Sequence, residues 1–401
     1  MSELISVQEA QRLILERVRP IDAERVPIER AAGRVLAEAA HAKVDLPPFP
    51  SSAMDGFALR SADTASAPVT LPIVARIAAG SPASAPLAAG QAMAISTGGV
   101  VPEGADAVVP LELVEEEGDA LRVHEPVLAG ANVRPRGGDV EAGGAVVEVG
   151  ARLGPAQVGA LAAAGISEVR CAKRPRVGIL VTGSELRQPG EQLGPGQIYE
   201  SNGLLLAAAC QAAGAVPALL GVVGDDREQL EREMERALLG FDMLVTSGGA
   251  SVGPHDLVRS TFAGFRIEEV FWGVSVKPGK PVCFGMRRDH PVFVLPGNPV
   301  SVLVTFELFV RPAINALLGL PDPLPAFERG VLAAGIRRNR HRDELVRARS
   351  RRDGDRVLLE PLPGQDSHMI ARAGRSDALA FVESGEGEVP AGAEVRYLAL
   401  A

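Results

Sequence analysis

The chain has 401 residues, of which 46% are hydrophobic and 4% aromatic, and its formal net charge is −9. This length and composition indicate more than one globular domain with an apolar core, and they exclude long disorder and a collagen-like repeat. The acidic charge and the scarcity of aromatic side chains disfavour binding to nucleic acid or to an anionic membrane surface.

Cysteine usage and the N-terminal sequence favour a cytoplasmic protein. The three cysteines are scattered without paired spacing, which excludes a disulfide framework and a zinc ribbon. Residues 1–18 carry acidic side chains early and have no apolar core, so they predict no signal peptide. The longest apolar stretch, 204–224, is interrupted by Pro217 and several glycines, and we therefore expect no membrane span.

The first part of the chain combines two helical segments with a long β-rich segment. Ser6 followed by Glu9 is a capping-box pattern that predicts a helix from 7 to about 18. A helical turn is expected around 31–36 and a helix over 155–165. Between them, turn residues separate short apolar runs, which predict an all-β insert with strands near 69–75, 91–96, 107–113 and 121–124.

Strands alternate with helices between 175 and 320. The predicted strands lie at 175–183, 216–223, 242–246, 282–284 and 292–295, and the predicted helices at 203–213, 227–239, 255–263 and 300–318. This alternation indicates βαβ units in a doubly wound, mainly parallel sheet. After 321–325 the sequence returns to short strands with glycine turns, which predicts a small β domain.

Three glycine-containing turns follow apolar strands of this α/β region, at 182–185, 247–253 and 296–301. Ligands of open parallel sheets bind beyond the carboxyl ends of the strands. Glycine lets the backbone approach an anion, and a helix start offers free N–H groups. The three turns therefore suggest a phosphate-bearing ligand, although tight connecting turns explain the glycines equally well.

Carboxylates and lysines beside these turns suggest a site for a cation and an anion. Glu185, Asp225 and Asp256 follow strand ends, where hard divalent cations find oxygen ligands, although capping by Asp225 or Asp226 is an alternative. Lys277 and Lys280 lie on a proline-rich turn, where an ordinary solvated role competes with anion binding. Eight arginines at 336–352 are predicted to form a solvated sheet face, with an anion site as the minority interpretation.

Taken together, these segments resemble the molybdopterin molybdenumtransferase family, bacterial relatives of the gephyrin E domain. The matching segments follow the order of the family, and they are PPFPSSAMDGFA (47–58), STGG (96–99), RPRGGD (134–139), VTGSEL (181–186), SGGASVGPHD (247–256), KPGKPVCFG (277–285) and LPGNPVS (295–301). Ser184 is a departure, since many members carry aspartate there.

The resemblance implies four regions and a homodimer. They are an elongated helical region from 1–46 and 140–172, an inserted β domain over 47–139, a molybdopterin-binding α/β domain over 173–322 and a C-terminal β barrel over 323–401. In the implied homodimer, the Asp55 loop of one chain faces the α/β domain of the other. Molybdopterin adenylyltransferase is the implied upstream partner.

The reaction implied by the resemblance is insertion of molybdate into the dithiolene of adenylylated molybdopterin, with AMP release assisted by Mg²⁺. The implied catalytic residues are Asp55, Thr97, Asp139, Glu185, Asp225 and Asp256, of which Glu185, Asp225 and Asp256 are the implied metal ligands. The implied substrate-binding residues are Thr182, Gly183, Ser247, Gly248, Gly249, Ser251, Lys277, Lys280, Pro296, Gly297, Asn298, Pro299, Ser301, Arg342 and Ser367.

Two other functions remain open from the sequence. One is a non-catalytic scaffold of the gephyrin type, which would have no need to keep all six acidic and hydroxyl side chains of the catalytic set. The other is a molybdopterin adenylyltransferase acting one step earlier, which the α/β region alone would allow. The long β insert and the paired KPGKP and PGNP turns favour the later step.

Overall fold

The computed structural model describes residues 4–224, 226–248 and 257–400. The chain divides into two compact units. One unit comprises Met1–Glu24 and Ala172–Ala401, and the other comprises Arg25–Cys171. The four domain limits expected from the sequence stay predictions beside this two-way division.

A six-stranded sheet forms the centre of the first unit, and we call it the α/β sheet. Its strands lie in the order Val216–Val223, Arg176–Thr182, Met243–Ser247, His290–Leu295, Cys283–Arg287 and Glu268–Trp272. The first four are parallel to one another, Cys283–Arg287 runs antiparallel to them, and Glu268–Trp272 pairs antiparallel with Cys283–Arg287. The central strands are buried on both faces, which is why they are continuous apolar runs. The mainly parallel sheet is confirmed, and the strand Glu268–Trp272 is an addition to the predicted elements.

Helices cover this sheet. They are Asn202–Ala213, Arg227–Gly240, Leu257–Phe265 and the continuous helical stretch Pro299–Leu317, and a further helix, Val7–Leu15, packs against this last stretch. The carboxylate of Asp226 accepts hydrogen bonds from the backbone N–H groups of Glu228 and Gln229, at 2.9 and 3.2 Å. Asp226 is therefore the N-cap of its helix, as the capping interpretation of this acidic pair expects.

The stretch Pro299–Leu317 is the core helix of the first unit. It contains a π-helical turn over Phe306–Val310, and the amide of Gln11 donates to the carbonyl oxygen of Leu308 at 3.1 Å inside that turn. It is the single helix of the described residues that is long and apolar enough to cross a membrane, and 78% of its apolar window is buried inside the fold. Such burial is typical of a helix that packs within a globular core.

A closed five-stranded barrel forms the C-terminal part of the first unit. Its strands follow one another as Asp343–Asp353, Arg356–Pro361, Phe327–Leu332, Glu394–Ala399 and Ala378–Val382, and the last pairs with the first. A short strand, Val276–Lys277, adds in parallel to the start of Asp343–Asp353. The remaining elements of this unit are the strands Leu186–Arg187, Ile198–Tyr199, Ile336–Arg337 and Glu388–Val389 and the helix Ile370–Ala373.

The second unit contains the predicted all-β insert as a six-stranded sheet. The order of its strands is Ala107–Pro110, Gly56–Leu59, Ala92–Ile95, Val69–Ile77, Ala120–Val123 and Val114–Glu117. Further strands are Ala23–Pro27, Ala40–His41, Ser51–Ser52, Val133–Arg134, Ala145–Val147 and Glu168–Ala172, and the helix is Pro155–Ala163. Short 3₁₀ turns lie at Ile28–Arg30, Ser61–Thr64 and Leu111–Leu113. The helical turn expected around 31–36 is therefore displaced to Ile28–Arg30.

The insert sheet leads to a prediction about Gly56, which begins a fully buried strand next to Asp55. A Cβ at Gly56 would overlap the backbone carbonyl oxygen of Val109. We expect Gly56→Ala to lower the free energy of unfolding by about 3 kcal/mol, because a backbone clash in a packed sheet cannot relax cheaply. Urea unfolding measures this loss.

The matched control is Gly159→Ala in the helix Pro155–Ala163 of the same unit. A Cβ there meets no atom within 4 Å among the described residues. We expect this change to raise stability by up to about 1 kcal/mol, because alanine is a better helix former than glycine. Equal destabilisation by the two substitutions would contradict the steric explanation.

Candidate active site

The described residues of the three glycine turns, 182–185, 247–248 and 296–301, meet at one edge of the α/β sheet and help to line a cleft of about 600 Å³. They follow the adjacent parallel strands Arg176–Thr182, Met243–Ser247 and His290–Leu295, so their carboxyl ends share this edge. Predicted site residues that line the cleft are Thr182, Gly183, Glu185, Gly248, Lys277, Lys280, Pro296, Gly297, Asn298, Ser301, Arg342 and Ser367. The structure thus brings together residues from six separate segments of the sequence.

Asn202 holds two of these turns together from behind the cleft. Its side-chain amide donates to the carbonyl oxygen of Gly297 at 2.7 Å and to the hydroxyl of Ser247 at 2.9 Å. Ser247 in turn donates to the carbonyl oxygen of Pro296 at 3.1 Å, and its side chain is fully buried. The sequence analysis overlooked Asn202, and it places Ser247 among the substrate-binding residues, whereas this serine is positioned to shape the turn.

Gly248 is required by the close approach of the first two turns. Its φ of +90° lies in the left-handed region, and a Cβ would overlap the backbone carbonyl oxygen of Thr182. Any side chain at this position would therefore strain the backbone and push the two strand ends apart. Glycine at position 248 therefore lets the ends of the two strands lie close together beside the cleft.

Of the three predicted cation ligands, Glu185 is the one that lies within the described residues. It is exposed on the cleft wall, and its carboxylate has no hydrogen-bond or ion-pair partner within the ranges described. Asp225 and Asp256, the two other predicted ligands, lie outside those ranges, as do Gly249 and Ser251. Over residues 4–224, 226–248 and 257–400, no group of three acidic, histidine or cysteine side chains could hold a metal. A free carboxylate facing the cleft fits Mg²⁺, which prefers one or two carboxylates plus substrate oxygens.

The two predicted lysines differ in their surroundings. The ammonium of Lys277 lies 2.9 Å from a carboxylate oxygen of Glu344, which is buried. Lys280 is exposed on the same cleft, and the described part of the chain contains no ion-pair partner for it. Lys280 therefore offers an unbalanced positive charge, whereas that of Lys277 is paired.

The barrel supplies the remaining wall of the cleft through Arg342 and the turn that carries Ser367. The hydroxyl of Ser367 accepts from the side-chain amide of Asn298 at 2.9 Å, and its carbonyl oxygen accepts from the N–H of Val300 at 3.0 Å. These bonds fix the barrel turn against the start of the core helix. Ser301 lies there too, nearly buried, while Pro299 is the first residue of that helix.

Arg347 shapes the turn from inside the protein. Its guanidinium donates to the side-chain oxygen of Gln365 and to the carbonyl oxygens of Gly364, Asp366 and Met369, at 3.0–3.3 Å. Burial lowers the pKa of Arg347, and the nearby carboxylates of Asp366 and Glu344 oppose this lowering.

The expectation that all eight arginines at 336–352 lie on a solvated face is therefore wrong for one of them, since Arg347 is 1% exposed. Its neighbours Val346 and Ala348 point into the barrel core, so Arg347 points the opposite way, towards the turn. Burial of an arginine at such a position depends on the distant loop that covers it. Arg349, two residues further along the strand, is exposed as predicted.

The three predicted catalytic residues of the second unit lie on neighbouring loops. A carboxylate oxygen of Asp55 accepts from the N–H of Thr97 at 2.8 Å. Ser52 joins the same two loops through backbone bonds to Gly98 and Gly99. The side chains of Asp55, Thr97 and Asp139 are all exposed. Their participation in the cleft of the first unit stays a prediction.

Comparison with protein families gives three matches that together span nearly the whole chain. Residues 5–165 match the MoeA N-terminal region (domain I and II). Residues 178–316 match a probable molybdopterin binding domain, and residues 329–400 match the MoeA C-terminal region (domain IV).

Individual proteins are similar over the same length. Molybdopterin molybdenumtransferase 2 of Mycobacterium tuberculosis (strain ATCC 25618 / H37Rv) is 37% identical over 400 residues, 98% of each chain. Molybdopterin molybdenumtransferase of Haemophilus influenzae is 32% identical over 98% of each chain. The crystal structure of the molybdopterin biosynthesis moeA protein from Pyrococcus horikoshii OT3 superposes with a TM-score of 0.86 at 31% identity, covering 99% of this chain and all of that one.

Proposed function

This chain belongs to the molybdopterin molybdenumtransferase family, a family of transferases in molybdenum cofactor biosynthesis, and we propose that it inserts molybdate into adenylylated molybdopterin with release of AMP. One observation carries this proposal. The glycine turns, two lysines, Arg342 and a free carboxylate share a single cleft. Such a set suits a substrate that carries a phosphoanhydride and a second substrate that is a metal oxyanion.

The phosphates of the pterin substrate are the natural ligands of the glycine turns. Gly183, Gly248 and Gly297 line the cleft without side chains that would block a phosphate, and Asn298 is the N-cap of the core helix. The N–H groups of Gly183 and Gly248 already donate to the carbonyl oxygens of Val223 and Leu295, so these two glycines act by leaving room for the phosphates. The start of the core helix supplies the favourable helix dipole.

Molybdate is the proposed ligand of the basic and hydroxyl side chains that line the cleft. Lys280 and Arg342 supply positive charge, and Ser301 and Ser367 supply hydroxyl donors. Charge-assisted hydrogen bonds of this kind are about twice as strong as those between neutral groups. The two dithiolene sulfurs replace two oxygens of molybdate, which leave as water, and attack of a water molecule on the phosphoanhydride releases AMP.

Mg²⁺ would be held by Glu185 together with Asp225 and Asp256. When bound, it would neutralise negative charge on the phosphate oxygens of the bond that is cleaved. Glu185 faces the cleft beside the first glycine turn, which is the position that a ligand of both cation and phosphate requires.

We also propose that the protein is a cytoplasmic homodimer in which Asp55, Thr97 and Asp139 of one chain complete the cleft of the other. Its substrate would come from a molybdopterin adenylyltransferase, since adenylylation of the pterin is the reaction that such an enzyme performs. Both proposals rest on the family resemblance and on the exposed, acidic character of the Asp55 and Asp139 loops.

The test of the proposed function uses purified protein, adenylylated molybdopterin, molybdate and Mg²⁺, with AMP release as the measurement. We expect Glu185→Gln to slow AMP release about 100-fold, because loss of one electrostatic partner of the reacting group typically costs that much. Removal of Mg²⁺ with a chelator should slow the wild-type protein to a similar extent.

Glu191→Gln is the matched control, because Glu191 lies in the segment after Glu185 and its carboxylate caps the N–H of Gln188 away from the cleft. It should keep wild-type turnover. No AMP release by the wild-type protein would refute the proposal. Formation of adenylylated pterin from ATP would instead support the earlier, adenylyltransferase step.

A further inference from the structure

The ion pair between Lys277 and Glu344 joins the lysine turn to the barrel. Its two partners belong to strands that pair in register, Val276 opposite Asp343 and Lys277 opposite Glu344. The backbone N–H of Asp343 also donates to the carbonyl oxygen of Ser275 at 3.2 Å. The positions of both side chains are therefore set by paired backbone rather than by flexible loops.

This arrangement fixes an ammonium group that is ordinarily mobile. A lysine side chain loses about 2 kcal/mol of rotamer freedom when it is held in one conformation. Its ammonium has three N–H donors, and the ion pair with Glu344 occupies at most one of them. The other two remain for an anion in the cleft that Lys277 lines. Binding to a fixed donor costs less entropy than binding to a mobile one.

The charge of Glu344 argues for this positioning role. A buried carboxylate beside an anion site repels the anion, so a cleft that needed only positive potential would be better without it. Glu344 is buried and negatively charged close to two cations, Lys277 and Arg347. Glu344 is favourable at this position if the orientation of the Lys277 ammonium matters more to anion binding than the net charge of the cleft.

We propose that Glu344 is a positioning residue of the molybdate cleft, and that it acts by holding the ammonium of Lys277 in place. The inference rests on the proposed function, since it takes molybdate as the anion. Glu344 belongs to the barrel and does not line the cleft. The proposal nevertheless counts it among the residues that determine how tightly molybdate binds.

The test measures binding of sodium molybdate to the full chain by calorimetric titration. We expect Glu344→Ala to raise the Kd about tenfold, because Lys277 is no longer held. Glu344→Gln should bind at least as tightly as the wild-type protein, because its amide oxygen still attracts the Lys277 ammonium while the repelling charge is gone. Asp343→Asn is the matched control, since Asp343 bonds to the N–H of Ser384. It should leave the Kd unchanged.

A double-substitution cycle shows whether Glu344 acts through Lys277. In a Lys277→Ala chain, Glu344→Ala should change the Kd by less than about twofold, since the group it positions is absent. A full tenfold effect in that background would overturn the proposal, because a merely structural role in the barrel would give the same loss with or without Lys277.

Glu344→Asp is the second variant if Glu344→Ala fails to fold. It keeps the charge but withdraws the carboxylate by one methylene, and it should bind molybdate more weakly than the wild-type protein. Wild-type affinity in Glu344→Asp would overturn this inference but would leave the proposed function standing. A wild-type protein that binds no molybdate would overturn both this inference and the proposed function.

Discussion

Arg347→Met should lower the free energy of unfolding by about 3 kcal/mol and abolish molybdate binding. Methionine fills the volume of the arginine stem, but it removes four hydrogen bonds from the turn and leaves the carbonyl oxygen of Gly364 without a donor among the described residues. The turn that carries Ser367 would lose its shape, and with it the contacts to Asn298 and Val300. Urea unfolding and calorimetric titration measure the two effects.

Arg349→Met is the control for this prediction. Arg349 lies on the same strand, is exposed, and makes one hydrogen bond, to the carbonyl oxygen of Arg375, among the described residues. We expect it to change stability by less than about 0.5 kcal/mol, as is usual for surface positions. Molybdate affinity that survives in Arg347→Met would show that the turn keeps its shape without the guanidinium.

The second prediction concerns the proposed dimer. Asp55→Ala and Glu185→Ala chains should each be nearly inactive as homodimers, and mixing them should restore about a quarter of wild-type AMP release. Half of the randomly mixed dimers are hybrids, and each hybrid has one cleft built entirely from unaltered residues if the Asp55 loop serves the partner chain. The measurement is AMP release after the two chains are unfolded and refolded together.

Asp55→Ala mixed with Thr97→Ala is the control for complementation. Asp55 and Thr97 belong to the same unit and are joined by a hydrogen bond, so every cleft of such a hybrid receives one altered loop. No activity should return. If the Asp55 and Glu185 variants also fail to complement each other, the Asp55 loop does not serve the partner's cleft.

Local patterns in the sequence were sufficient to predict the core of the α/β sheet. Its central strands are buried on both faces and so appear as apolar runs that end in glycine turns. The strand Glu268–Trp272 escaped this reasoning because it is an antiparallel edge strand, exposed at its first two residues. The π-helical turn at Phe306–Val310 was equally hidden, since its backbone geometry depends on packing with the distant Gln11.

Site residues could be predicted where they lie in, or directly beside, a turn that follows a strand. The glycine turns, Lys280 and Glu185 could be identified because they follow strand ends that a parallel sheet must gather at one edge. Asn202 and Gln365 could not, because each acts through partners many residues away along the chain. An ordinary polar side chain gives no local sign of the loop that will cover it.

The short strand Val276–Lys277 limits how the protein can be dissected. Its backbone hydrogen bonds continue into the barrel, so a fragment cut at residue 322 would leave them to solvent and release the lysine turn. Chimeras that exchange the α/β portion between relatives should therefore exchange the barrel together with it.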